Sequence, residues 1–162
     1  MADRMQTELG RLLDEYDARR RADTDREQRN REDEALFLQQ FADLRHRVIR
    51  PVFETAGAML EARGHRFSIT EQESASANAG RISEAGISLR VVPSGTKAAL
   101  HEDQRSLSIT TRHYNKTVWI NSGESPNSGG IAGAKGAYEL HKVTRQLVED
   151  EVIAFVARVV AH

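Results

Sequence analysis

The sequence contains no cysteine in its 162 residues. Disulfides, thiolate zinc sites, iron–sulfur clusters and thiol nucleophiles are therefore excluded. No segment approaches the roughly 18 uninterrupted apolar residues of a membrane span, and the opening Met-Ala-Asp-Arg-Met-Gln-Thr-Glu has no apolar stretch of the kind a signal peptide carries. The expected location is the cytoplasm, with no membrane partner. Bulk charge is also missing. A formal net charge of −1 and a pI near 6.6 give no general attraction to nucleic acid or anionic lipid, so any such contact would need a local patch.

Recognisable catalytic and metal motifs are missing as well. His46, His65, His101, His113, His141 and His162 form neither H-x-x-x-H nor H-E-x-x-H. A metal site would have to be assembled through space from His65, His101 or His113 with Glu102 or Asp103. No G-x-S-x-G elbow appears, and Asn121-Ser122-Gly123 reads as a turn. No catalytic residue, metal or cofactor is assigned.

What is present falls into two parts. Hydrophobic residues make up 39% of the chain and charged residues 29%, a bias expected when part of a chain builds no core. Leu9, Leu12, Leu13 and Tyr16 are spaced to share one helix face. From Asp17 to Glu34 six arginines meet seven acids with no apolar side chain larger than alanine, and with neither proline nor glycine. Asp17/Arg21, Asp25/Arg29 and Glu27/Arg31 are acid-before-base pairs at i,i+4, each worth about 0.2–0.5 kcal/mol of helix stability. Residues 1–34 are expected to be a charged helical arm, a coiled coil or partly disordered. The Arg19-Arg20-Arg21 cluster is largely offset by its acidic neighbours, which disfavours a phosphate contact.

From Ala35 the pattern changes. Phe37, Phe41, Leu44, Val48, Val52 and Met59 form a stripe that Leu38, Ile49, Phe53, Ala56 and Leu60 widen. The spacing is nearer 3.6 than 3.5, which favours a helix packed on a sheet over a heptad seam. Pro51 predicts a kink or break around residues 47–51, and Gly64 suits a helix-ending C′ position. Fully helical, residues 7–63 would extend on the order of 85 Å at about 1.5 Å per residue.

Four segments then alternate with period two: Phe67 and Ile69; Ile87, Leu89 and Val91; Leu107, Ile109 and Thr111; Val118 and Ile120. Residues 113–116 make a tight hairpin, whereas 74–85 and 93–105 read as longer loops. Residues 122–136 are rich enough in glycine to read as one further loop. A closing helix over about 143–161 carries Leu147, Val148, Val152, Phe155, Val156, Val159 and Val160. The expected fold is α+β: a long N-terminal helix kinked near Pro51, a four-stranded antiparallel meander and a C-terminal helix. Residues 35–162 would form a two-layer sandwich with an extended helical arm. This order of elements resembles RWD domains and the related ubiquitin-conjugating fold in topology. The chain departs from both, lacking the Tyr-Pro signature of the first and the catalytic cysteine of the second.

With the alternating apolar residues inward, Arg66, Ser68, Thr70, Ser88, Arg90, Ser108, Thr110, Arg112, Thr117 and Trp119 face outward. The only tryptophan then lies among arginines and hydroxyls, the composition of an interface anchor. The leading expectation is a non-enzymatic assembly or adaptor protein with a protein partner, itself, or both, a dimer being the default. Its interface candidates are Leu9, Leu12, Leu13, Tyr16, Arg90, Arg112 and Trp119. The alternatives are a small-ligand or nucleotide-binding domain lidded by the 122–136 loop, with Gly129, Gly130, Gly133, Lys135 and Gly136 as candidates, and single-stranded nucleic acid bound on the outer sheet face. The loop matches neither G-x-x-x-x-G-K-[ST] nor G-x-G-x-x-G, and nucleic acid is the disfavoured partner.

Overall fold

A computed structural model describes residues 2–76, 82–95, 106–123 and 134–160. It divides at Leu36 into a unit of residues 1–36 and a unit of residues 37–162.

The first unit is helical throughout its described length, as part of α1 (Ala2–Leu44). With no proline or glycine after Gly10 in this stretch, nothing interrupts the hydrogen-bond ladder. Its side chains are nearly all exposed, so local pairs support it. Arg11 bridges Glu8 and Glu15 at 3.1 Å each, and Arg26 lies 3.8 Å from Asp23. The expected Asp25/Arg29 pair is made to the backbone instead, Arg29 Nε donating to the Asp25 carbonyl at 3.3 Å.

The second unit begins with the buried Phe37 and Phe41 in the last turns of α1. The helical path then loosens into a π turn, Arg45–Ile49, before α2 (Arg50–Ala62). Here the Arg50 N–H donates to the Arg45 carbonyl, five residues back. The break falls where Pro51 predicts it: the ring supplies no N–H and crowds the turn before it, and widening that turn accommodates both effects. The extra residue in the turn also rotates everything after it. Met59, expected in the buried stripe, is 69% exposed, and Ile49, Val52, Phe53 and Leu60 carry the buried face instead. α2 ends as its glycine predicts. Gly64 has φ +90°, its N–H reaches the Glu61 carbonyl at 3.0 Å, and the His65 N–H reaches that of Leu60 at 3.0 Å. This is the paired arrangement of a Schellman cap.

The sheet is antiparallel, with β1 (Arg66–Gln72), β4 (Gly86–Val92), β5 (Ser106–Arg112), β6 (Thr117–Gly123) and β7 (Ala134–Glu139) side by side in that order. The four expected strands are present, and β7 adds a fifth. Two-residue strands β2 (Ala75–Ser76) and β3 (Ile82–Ser83) pair as a separate hairpin within the expected 74–85 loop. The 122–136 loop is shorter than expected, because Ser122 and Gly123 end β6 and residues 134–136 begin β7. Lys135 and Gly136 are therefore strand residues, whereas Gly129, Gly130 and Gly133 lie outside the described residues. The expected 113–116 hairpin joins β5 to β6 through Lys116 at φ +55°.

Burial alternates along β4 from Ile87 onward and throughout β5. Ile87, Leu89, Val91, Leu107, Ile109, Val118 and Ile120 form one apolar face, which shares a core with α2 and α3 (Arg145–Val160). In α3 the buried residues are Val148, Val152, Phe155 and Val159, spaced three and four apart. Thr144 caps its start, accepting from the Leu147 N–H at 3.2 Å. The buried Val143 precedes that cap, and with Val148 it occupies the two positions of a hydrophobic staple. α2 and α3 pack against each other, so the second unit is a layer of helices over one face of the sheet. On the opposite face Ser88, Arg90, Ser108, Thr110, Arg112, Thr117 and Trp119 are half-buried.

Candidate functional site

Cross-strand register organises the sheet face away from the helices. Thr110 of β5 lies opposite Trp119 of β6, which lies opposite Ala137 of β7. The next row toward the hairpin pairs Arg112 with Thr117 and Thr117 with Glu139. Small neighbours leave the indole room, and Arg112 fills it, its guanidinium carbon 3.8 Å from the ring centroid. Arg112 also donates to the Tyr114 hydroxyl at 3.0 Å, while the Trp119 N–H donates to Thr117 Oγ1 at 3.2 Å. The cluster is thus a tryptophan held flat by a cation, with the exposed Tyr114 beside it. Ser88 and Ser108 share a hydrogen bond at 2.9 Å further along the same face. Arg90 pairs across from Ser68 and Ser106, two rows from the indole, so it belongs to the face and not to the Arg–Trp stack.

The helical candidates occupy the first unit. Met5, Leu9, Leu12, Leu13 and Tyr16 are 48–61% exposed. Met5, Leu9, Leu12 and Tyr16 recur at intervals of four, three and four, the a/d spacing of a coiled-coil seam. Met5 extends by one turn the stripe expected from Leu9 onward.

A third surface was not legible in the sequence. Between α2 and α3 runs an open apolar groove of about 580 Å³. Leu60, Val152 and Val156 lie at its base, and Met59, Ile153 and Val160 line it while 69%, 66% and 49% exposed. Among the described residues, its ionisable lining residues are Arg63 and His65. The signal that could have found it is the pair of apolar positions, Met59 and Ile153, that exceed what each helix buries.

Two polar clusters also escaped the sequence reading. Arg45, in the π turn, is buried between the sheet edge and the Phe41 ring, whose centroid is 5.8 Å from its guanidinium. It donates to the Gln72 carbonyl at 3.0 Å and the Gly86 carbonyl at 3.4 Å, lies 3.3 Å from Glu71 and pairs with Glu73. Arg50 joins the network at 3.2 Å from Glu71. The second cluster centres on Glu84. Its carboxylate meets His113 Nδ1 at 2.7 Å and accepts from the His113 N–H at 3.0 Å and the Thr111 hydroxyl at 3.2 Å. Thr111 is bonded to the carboxylate rather than to the imidazole, so the trio lacks the hydroxyl-to-base contact of a nucleophilic triad. It ties the hairpin to the start of β4.

His113 is thus partnered by Glu84, and His65 Nδ1 accepts from the Ser94 N–H at 3.0 Å. His101, Glu102 and Asp103 lie outside the described residues. Among the described residues no group of three His, Asp or Glu side chains could hold a metal ion, and no helix is long and apolar enough to cross a membrane.

The fold and these surfaces define an α+β protein with a long N-terminal helix, an antiparallel sheet and a C-terminal helix. No family model, no curated protein and no solved structure matches the chain.

Proposed function

We propose that this chain is a non-enzymatic assembly or adaptor protein, whose N-terminal helix self-associates and whose α+β unit docks a protein partner. The observation that carries the reading is the exposed seam of Met5, Leu9, Leu12 and Tyr16 on a helix none of whose described side chains is buried before Phe37. Apolar side chains at coiled-coil spacing are stabilised by covering one another, and the solvated helix offers them no cover. The long charged stretch between seam and core supplies reach in place of packing.

The test is the solution mass. At tens of micromolar, light scattering is expected to give a multiple of the 18.1 kDa chain mass that falls with dilution. A strictly monomeric mass would overturn self-association.

The docking half of the proposal rests on the Arg112–Trp119 stack on the sheet face away from the helices. An ordered Trp beside an Arg is a low-entropy anchor for a protein surface. The same stack weighs against nucleic acid, because Arg112 occupies a ring face that a base would need. Trp119→Ala and Arg112→Ala are expected to abolish retention of the co-purifying partner while leaving the self-associated mass unchanged. Retention by both variants would move the docking surface elsewhere.

A further inference from the structure

We infer that the groove between α2 and α3 receives the apolar tip, residues 5–16, of the N-terminal helix of a second copy of this chain. The inference rests on the self-association reading and names its acceptor.

Of the exposed large hydrophobic side chains among the described residues, five are on the tip and three, Met59, Ile153 and Val160, line the groove. The chain thus carries one convex apolar stripe and one concave apolar surface. Helix-in-groove binding uses this pairing, with anchors at i, i+3 or i+4 and i+7 entering a trough between two helices. The dimensions agree for the last two turns of the tip. At about 1.5 Å per residue, Leu9 to Tyr16 spans about 10 Å and the groove follows α3 from Val152 to Val160 for about 12 Å, so Leu9, Leu12 and Tyr16 fit within it while Met5, about 6 Å further on, lies past its end.

Charge favours the same pairing. Among the described residues the ionisable lining of the groove is Arg63 and His65. Residues 2–16 carry four acids, Asp3, Glu8, Asp14 and Glu15, against two arginines. Two parallel seams would continue into Arg19 against Arg19 and Asp23 against Asp23 at the following seam positions. Tip into groove avoids these like-charge contacts. A small ligand is the weaker occupant. Its pocket normally buries 70–90% or more of it, whereas this groove is an open trough whose lining Met59 and Ile153 are two-thirds exposed.

Two double variants test the contact, both at exposed positions outside the core: Leu9→Glu/Leu12→Glu on the tip and Met59→Glu/Ile153→Glu on the groove. Circular dichroism checks that each stays folded. Each alone is expected to run as an 18.1 kDa monomer where the parent associates. Mixed, they are expected to bind each other at least tenfold more tightly than either binds itself, since each supplies the surface the other lacks. The cysteine-free sequence permits a second readout. Equimolar Leu12→Cys and Ile153→Cys chains, oxidised together, are expected to give mainly the mixed disulfide. A groove variant that still self-associates, together with cross-links between two Leu12→Cys chains, would establish tip-to-tip pairing and overturn the inference. A tip variant that still self-associates would establish groove-to-groove pairing and do the same. An associating parent whose variants fail to complement removes this contact and leaves self-association standing, whereas a monomeric parent removes both.

Discussion

At Gly57 a single hydrogen sets how closely α2 approaches the sheet. A Cβ built there would lie 2.4–2.6 Å from three atoms of the Phe67 ring on β1. Alanine would gain about 1 kcal/mol of helix propensity but would force the ring or the helix aside, an overpacking cost of about 1–3 kcal/mol. Gly57→Ala is expected to lower the urea midpoint with the slope unchanged. In a Phe67→Val background, where the clash is gone, the same substitution is expected to raise it. Arg45 is the other residue whose environment decides its worth. Its guanidinium serves two carbonyls and two carboxylates at once, a geometry suited to a planar fork and unsuited to an ammonium. Arg45→Met is expected to cost about 2–4 kcal/mol by leaving the Gln72 and Gly86 carbonyls without their side-chain donor and Glu71 with Arg50 alone, and Arg45→Lys to recover less than half of that in the same urea titration.

Among the elements, those with strong periodicity were legible. The period-two runs through Ile87–Val91 and Leu107–Thr111 became β4 and β5 with the expected faces, and the spacing of Val148, Val152, Phe155 and Val159 became α3. Pro51 located the π turn, but composition carried no sign of the resulting change of face, so Met59 was misplaced. β7 was hidden because Ala-Lys-Gly-Ala-Tyr-Glu has no β-branched residue, and its place in the sheet comes from pairing with β6 rather than from its own propensity. Arg45 was illegible for a related reason. Its partners lie 26 to 41 residues away, beyond any local spacing rule. The β5–β6 hairpin makes an element-level prediction. Lys116 holds a left-handed conformation at φ +55°, which a Cβ disfavours by about 1–2 kcal/mol and glycine does not. Part of that gain is offset by the greater freedom of glycine in the unfolded chain. Lys116→Gly is therefore expected to stabilise the α+β unit by about 0.5–1 kcal/mol, measured as a rise in melting temperature. A fall would mean that the lysine side chain contributes more than its backbone costs.

For the whole molecule, the division at Leu36 sets unlike kinds of stability side by side. The second unit buries a continuous apolar core and should unfold cooperatively. The first buries almost none, and its helix depends on surface pairs worth about 0.2–0.5 kcal/mol each, on a ladder that melts gradually and on whatever covers Met5, Leu9, Leu12 and Tyr16. The only tryptophan, Trp119, lies in the second unit, so two probes separate the events. Heating is expected to reduce helical ellipticity in two stages, a broad early loss followed by a sharp one, while tryptophan fluorescence follows only the sharp stage. If the tip is covered by another copy, the early stage moves to higher temperature as protein concentration rises, and Leu12→Glu abolishes that shift without moving the fluorescence transition of the α+β unit by more than a degree or two. Coincident single transitions by both probes, independent of concentration, would mean that residues 2–36 draw their stability from within one chain, and the case for an assembling helix would fall.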